Sequence, residues 1–292
     1  MYDISLSLYK IFCVVAQSKN YVDASNKLHI STTAISKNIR QLESLLGTTL
    51  FYREKDGVRL IGAGNEFFKY AEQGLATLSL GEKLIIQKND LATGEISIGC
   101  PSHLTTFYLM DCIEKAKVDY PNLKINLMSG ADFNKMIQML QEHKIDFMID
   151  TTQVDTNYNN IVVEELKEVK NIFISNKPIK IKELKELENK KYILNFEYSS
   201  TTKKLRNTLK QHDVEIEANM QYDITELRIN AAKRGLGIGY VMKEAVKKEL
   251  DNKELYEVEL PIELPMSKIN LIYIKEQLTQ SDKKFIKNYL KN

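Results

Sequence analysis

The sequence predicts an α+β chain in three parts: a small helical head closed by a β-hairpin, a long connecting helix, and a two-lobed α/β body. Three observations predict it. Apolar residues recur at helical spacing in three short segments between Ser5 and Leu46, and a strand–turn–strand pattern follows them. From Asn65 to Lys88 one apolar stripe continues without a turn signal. Beyond Glu95, strand and helix patterns alternate in two successive groups, as in lobes built on central sheets.

A chain of 292 residues exceeds one ordinary compact domain and suits two or three. With 43% hydrophobic and 27% charged residues it lies outside the compositions that stay disordered. No apolar run reaches the roughly 18–20 residues that span a bilayer. Leu6–Val15 is apolar, but Lys10 interrupts it, Asp3 precedes it, and no small-residue cleavage site follows. A cytoplasmic protein is therefore expected. Cys13, Cys100 and Cys112 are odd in number and form no CxxC pair, so each is expected as a buried hydrophobe rather than part of a disulfide framework. Charge is uneven: residues 1–62 hold eight Lys or Arg against five acids, and three of the six arginines, Arg40, Arg53 and Arg59, fall there. A basic head on a neutral body points towards a polyanion.

The elements follow in order. Leu8, Ile11, Phe12 and Val15 stand at i, i+3, i+4 and i+7, one buried stripe of a helix over residues 5–17. A second helix runs from Val22 to Leu28. After His29–Ile30, Ser31 is placed to cap a third helix, Thr32–Leu46, which stops at Gly47. At 100° per residue, Ile35, Ile39, Leu42 and Leu46 fall within about 60° of one another, and Thr33, Ser36, Lys37 and Arg40 within about 100° on the opposite side. A polar stripe is ordinarily a solvated face. This one is cationic and follows a short helix through a tight turn, the arrangement of a helix-turn-helix that reads a groove. Thr49–Phe51 and Val58–Ile61 form a small hairpin, or wing, with Arg53, Lys55 and Arg59, completing a winged helix-turn-helix.

On the long helix Phe67, Ala71, Gly74, Leu78, Gly81 and Ile85 share a stripe. Glycines inside a helix cost ~1 kcal/mol each, so close approach of a second helix, or a local kink, is expected there. A hinge is expected at residues 88–94. The body then reads as strand Glu95–Cys100, helix Ser102–Tyr120, strand Lys124–Ser129, helix Asp132–His143 and strand Asp146–Asp150. Strands at Asn171–Ser175 and Lys191–Phe196 open the second group. Helix Thr201–His212, strand Glu215–Tyr222, helix Thr225–Arg234, strand Ile238–Val241, helix Lys243–Leu250 and strand Leu255–Leu260 continue it. Strand Ile269–Lys275 and helix Ser281–Leu290 close the chain.

The first 64 residues resemble the DNA-binding domain of the LysR-type transcriptional regulators. Ser18–Ser25 with Leu28 is similar to that family's S-F-T-x-A-A-x-x-L helix, and Ser31–Ser36 to its S-Q-x-A-V-S. Ile39, Leu42-Glu43, Leu46-Gly47, Leu50-Phe51 and Arg53 continue in register, and Leu60, Ala63 and Gly64 match L-T-x-A-G. Thr32 replaces the usual Gln, Lys37 a frequent Arg, and Ile61 a Thr. In the body, Ile98-Gly99, Lys144–Asp146, Glu197–Lys203 and Ala231–Gly239 resemble the family's effector domain, whose lobes are similar to periplasmic solute-binding proteins.

The resemblance implies domains at 1–62 (DNA-binding), 63–90 (linker and dimerisation helix) and 91–292 (effector-binding). The first lobe would take about 91–162 and 269–292, and the second about 163–268. It implies a homodimer or dimer of dimers on an imperfectly palindromic operator in double-stranded DNA, with RNA polymerase as a candidate partner. Thr32, Thr33, Ser36, Lys37 and Arg40 would enter or border the major groove, and Arg53, Lys55 and Arg59 would hold phosphates. Hydroxyls and N–H groups at helix starts suit a polar or anionic effector between the lobes. Its expected contacts are Ser102, His103, Ala131, Ser200, Thr201, Thr202 and Thr225, although simple capping accounts for hydroxyls equally well. Ala131 stands where the family often has a hydroxyl.

Neither a metal nor a cofactor is expected, because no Cys/His set has ligand spacing. Three alternatives stay open. A thiol-based oxidant sensor of the same family needs a cysteine pair, typically in the second lobe, and Cys100 and Cys112 both fall in the first. An enzyme is suggested by Gly235, Gly237 and Gly239, but the third glycine comes one residue early for a dinucleotide loop, after a helix and before a strand. A small-molecule-binding protein would suit the body but not the head.

Overall fold

The computed structural model describes residues 4–54, 57–86, 91–92, 94–130, 132–152 and 160–291. The chain divides into two compact units, residues 1–86 with 142–144, and residues 87–141 with 145–292.

In the first unit, α1 (Leu6–Ala16), α2 (Tyr21–Leu28) and α3 (Thr32–Leu46) surround one apolar core, closed by the hairpin β1 (Phe51–Glu54) and β2 (Gly57–Leu60). Phe12 is the centre of that core: its ring lies 5.4 Å from Phe51, 5.1 Å from Phe67 and 6.4 Å from Phe68. Phe67 and Phe68 come from the long helix α4 (Gly62–Ile86), so its first turns belong to the head. Gly64 is what lets the helix start there. A Cβ at that position would fall 2.1 Å from the Leu50 carbonyl oxygen, closer than atoms tolerate.

The second unit holds two five-stranded sheets. The first has the order β4 (Lys124–Met128), β3 (Glu95–Gly99), β5 (Phe147–Asp150), β12 (Ser267–Ile274), β6 (Ile161–Val169). Its β3 pairs parallel with β4 and β5, and β12 antiparallel with β5 and β6. Around it lie α5 (Ser102–Leu104), α6 (Met110–Asp119), α7 (Phe133–Gln141) and α11 (Gln280–Phe285), the last continuing into a π-helical turn, Ile286–Leu290. The second sheet has the order β11 (Tyr256–Glu257), β7 (Asn171–Ser175), β10 (Ile238–Met242), β8 (Tyr192–Leu194), β9 (Ala218–Gln221). With it go α8 (Ser200–Lys210), α9 (Thr225–Lys233) and α10 (Lys247–Asp251). Each sheet is mixed, with two parallel and two antiparallel pairings, and is coated on both faces by separate apolar clusters. Among the described residues no helix is long and apolar enough to cross a membrane.

Several local expectations change, among them the strand expected over Thr49–Phe51, which lies at Phe51–Glu54, and the helix over Ser281–Leu290, which divides at Ile286. The single helix over Ser102–Tyr120 is α5 and α6 joined by a π-helical turn, Thr105–Leu109. The helix over Lys243–Leu250 is a 3-10 turn, Lys243–Val246, followed by α10. The strand over Leu255–Leu260 shortens to β11, with a separate bridge between Lys180 and Glu259. The largest difference is β6, nine residues where no strand is expected. It carries Glu164, Glu165, Lys167 and Glu168, the charge typical of an edge strand. A register shift opposite Ile269 and Asn270 also breaks its alternation. The lobe boundary expected at 162/163 falls inside this strand, and the first sheet keeps the chain as far as Val169.

The chain passes between sheets twice, between Val169 and Asn171 and again before Ser267. The buried Asn171 side chain ties the two passages: its Nδ2 donates to the Pro265 carbonyl at 2.7 Å and to Ser267 Oγ at 2.9 Å.

Candidate functional site

Two places in the chain gather chemistry, one in each unit. In the head, α2 is capped by Asn20, whose Oδ1 accepts from the Asp23 N–H at 2.9 Å, and ends on His29 in the left-handed region, φ 54°. That reversal delivers Ser31 to the start of α3, where its Oγ accepts from the Ala34 N–H at 3.1 Å. Gly47 ends α3 at φ 69°. Glu43 fastens the wing to α3, with Oε1 accepting from the N–H groups of Leu50 at 2.7 Å and Phe51 at 3.3 Å.

Ile35, Ile39 and Leu42 are fully buried, and Leu46 half-buried, so one face of α3 belongs to the core. Thr32, Thr33, Lys37 and Arg40 are exposed on the other side, and Ser36 is half-buried between them. Lys37 and Arg40 form no ion pair among the described residues. Two solvated cations and several hydroxyls therefore share one side of a capped helix. On the wing, Arg59 is exposed and stands opposite Tyr52 across the hairpin. Tyr52, 61% exposed, is a surface aromatic that the charge-based reading passed over. Arg53 lies in β1, but its side chain, and the whole of Lys55, lie outside the described residues.

Along α4 the expected stripe divides. Ala71 is buried and Phe67 half-buried against the head. Further on, Leu78 is 50% and Ile85 86% exposed, and a Cβ on Gly74 or Gly81 would meet nothing within 4 Å.

In the body, the expected effector residues occupy helix starts after strands. Ser102 is exposed at the first position of α5, and His103 beside it is half-buried. Burial, with the charge of Arg228 second, holds the His103 imidazole down at about 4, so it is neutral at pH 7. The π-helical turn after His103 packs against the 3-10 turn Lys243–Val246 of the second lobe. Asp150, at the end of β5, is buried with its carboxyl pushed up by desolvation, its Oδ1 accepting from the Thr152 N–H at 2.7 Å.

At α8, Ser200 and Thr201 are half-buried, and Thr201 Oγ1 lies 2.8 Å from Ser199 Oγ. Thr202 is fully buried and its hydroxyl donates to the Asn195 carbonyl at 3.3 Å, so it holds the loop to the sheet. Thr225, 6% exposed, accepts from Arg228 Nη2 at 2.8 Å. Ala131 lies outside the described residues. A hollow of about 570 Å³ opens further along α8, by Arg206, Asn207 and Lys210, and holds none of the expected effector residues.

Arg228 is the residue the sequence reading missed. It is 6% exposed and reaches back to the start of its own helix, where Nη1 donates to the Tyr222 carbonyl at 2.5 Å and the Asp223 carbonyl at 3.1 Å. An Arg one turn into a short helix reads as a surface cation, so no local signal marks it.

The cysteines are buried. Desolvation pushes the Cys13 and Cys100 thiols up to about 12 and the Cys112 thiol upward, which keeps them from the thiolate form that reacts with oxidants. Among the described residues no cluster of three His, Cys, Asp or Glu is placed to hold a metal.

Comparison with known proteins agrees with this division. Residues 6–65 match the family described as bacterial regulatory helix-turn-helix protein, lysR family, and residues 89–290 match the LysR substrate binding domain. The HTH-type transcriptional regulator YofA of Bacillus velezensis is 27% identical over 273 residues, 90% of this chain and 90% of that protein. The HTH-type transcriptional regulator HdfR of Yersinia pestis is 31% identical over 144 residues, 49% of this chain and 48% of its own length. Among solved structures, a full-length OxyR variant from Pseudomonas aeruginosa gives a TM-score of 0.70 at 14% identity, covering 98% of this chain and 97% of that one. DarR of Vibrio fischeri, solved in complex with DNA, gives 0.61 at 16% identity over 99% of both chains. Identity this low speaks for the fold alone. Together the two family matches span nearly the whole sequence, and the chain belongs to the LysR family, as a LysR-type DNA-binding transcriptional regulator with an effector-binding domain.

Proposed function

We propose that α3 lies in the major groove of an imperfectly palindromic operator, with Thr33, Ser36, Lys37 and Arg40 towards the bases, Thr32 at the groove's edge, and Arg53, Lys55 and Arg59 on phosphates. One observation carries this reading: Lys37 and Arg40 are exposed on α3, opposite the buried Ile35, Ile39 and Leu42. A cation free of local ion pairs releases counterions when it meets phosphate, which drives binding. Residues 1–62 then form the DNA-binding domain, 63–90 the linker helix and 91–292 the effector domain.

The protein works as a homo-oligomer through α4. The open stripe of Gly74, Leu78, Gly81 and Ile85 supports this, because glycines that face empty space admit a second helix at close range. Its action is binding rather than turnover, and it works where the operator is, in the cytoplasm. A polar or anionic small molecule binds between the two lobes. Ser102 and His103 meet it from the first lobe and Ser200 and Thr201 from the second, while Thr202 and Thr225 hold the loops behind them. A ligand acts here only through unequal affinity for two arrangements of the lobes.

The decisive experiment is Lys37→Glu with Arg40→Glu in a gel shift on the DNA upstream of the protein's own gene. Both residues are exposed, so thermal melting should be unchanged. Affinity should fall by about 100-fold or more at 100 mM salt. Unaltered sequence-selective retardation by the folded double variant would remove α3 as the reading element.

A further inference from the structure

Of the Lys and Arg residues described, Arg228 is the one that is buried. Burying a cation is costly unless an opposite charge accompanies it. No carboxylate comes within ion-pair distance of Arg228 among the described residues. Asp223 and Glu226 act on it from further away, and burial outweighs them, drawing its guanidinium down to about 10. Its Nη groups give hydrogen bonds to two carbonyls and to Thr225 Oγ1, which satisfy donors but supply no full negative charge. Its Nε–H is buried with no hydrogen-bond partner among the described residues.

The position makes the imbalance worse. Thr225 is the first residue of α9, and the residue before it, Ile224, offers no side-chain cap. The N-terminal end of a helix carries partial positive charge. Arg228 folds back onto that end, where Glu226 in the first turn and Asp223 before it offset the positive charge only in part. An anion placed there would offset both the guanidinium charge and the helix end. The neutral His103 of the first lobe feels the Arg228 charge.

We propose that Arg228 anchors an oxyanion group, carboxylate or phosphate, of the small molecule that the body binds, with Thr225 fixing the guanidinium and His103 facing the same group from the other lobe. This rests on the reading of residues 91–292 as an effector domain. A guanidinium presents its donors as a planar fork that matches both oxyanions, so the experiment must tell the two apart.

The full-length protein is followed by thermal shift with acetate, benzoate, succinate and citrate, with inorganic phosphate and sulfate, and with acetamide, benzamide and succinamide at equal ionic strength. At least one oxyanion should raise the melting temperature where the matching amide does not, and carboxylate or phosphate success names the class. Arg228→Gln, which keeps two N–H donors without the charge, should abolish that shift while operator retardation stays within about twofold of wild type. Arg228→Lys keeps charge but loses the fork, and should weaken the same oxyanion about 10-fold. The comparison of acid with amide on unmodified protein needs no variant, so misfolding of Arg228→Gln leaves the test intact. Equal shifts by acid and amide, or a shift that survives in Arg228→Gln, would overturn the anchor and leave the effector domain standing. Silence from every oxyanion, with stabilisation by a neutral or cationic metabolite, would overturn it too. Silence from all compounds would count against the effector domain itself.

Discussion

The head and the body use positive charge in opposite ways. On α3, Lys37 and Arg40 stand in solvent, where each keeps its hydration and the fold gives up nothing to hold it. On α9, Arg228 is sealed from water, and the surrounding structure bears the cost. An exposed cation acts at range and indiscriminately, so it suits a long polyanion whose charges repeat. A buried one acts over a few ångströms with fixed geometry, so it suits one small group of definite shape. The contrast teaches that the number of basic residues says little about a binding site until their solvation is known.

Salt should separate the two most sharply. Raising it from 50 to 200 mM should lower operator affinity by roughly 10³-fold or more if six or more phosphates are contacted. Binding of the stabilising oxyanion should change by less than about threefold, because ions screen a buried pair weakly. Equal salt slopes, measured by gel shift and by calorimetry, would break the comparison.

A smaller effect sharpens it through stability. Gly64→Ala places a methyl against the Leu50 carbonyl. Overpacking of this kind costs about 2 kcal/mol. In a scanning calorimeter the head's transition should fall by about 10 °C, while the body's stays in place. A single transition moving as a whole would mean that the two units do not melt independently. The smallest effect comes from Gly81→Ala, where the space is open. Helicity should rise, since the substitution favours a helix by ~1 kcal/mol. Self-association, read by sedimentation, should nevertheless weaken, because the methyl enters the groove proposed for a second helix. Unchanged association would move the oligomer contact away from this stripe.

Much of the head was legible because its determinants are local. Ser31 and Gly47 mark the ends of α3 by type and position, and the angular separation of Ile35 and Ile39 from Lys37 and Arg40 follows from the helical repeat alone. The alternating body was legible for the same reason, in apolar runs such as residues 147–149 and Ile238–Met242. What stayed hidden depends on distant partners. The strand Ile161–Val169 is held by β12, about 100 residues later, and its charges and register shift erase the period that would announce it. The hydroxyl of Thr202 turned inward to Asn195, and no spacing rule distinguishes that from a hydroxyl facing a ligand. Arg228 differs from any surface arginine only in what folds over it.

The Asn171 amide gives the body a mechanical character. By donating to both the Pro265 carbonyl and the Ser267 hydroxyl of the other passage, it ties the two passages between the sheets into one short axle. Pulling the passages apart would break both bonds. A relative motion of the lobes that keeps both bonds is one that pivots close to Asn171. A turn of a few degrees is negligible near Asn171 and grows in proportion to the radius, so atoms at the rim of each lobe travel furthest.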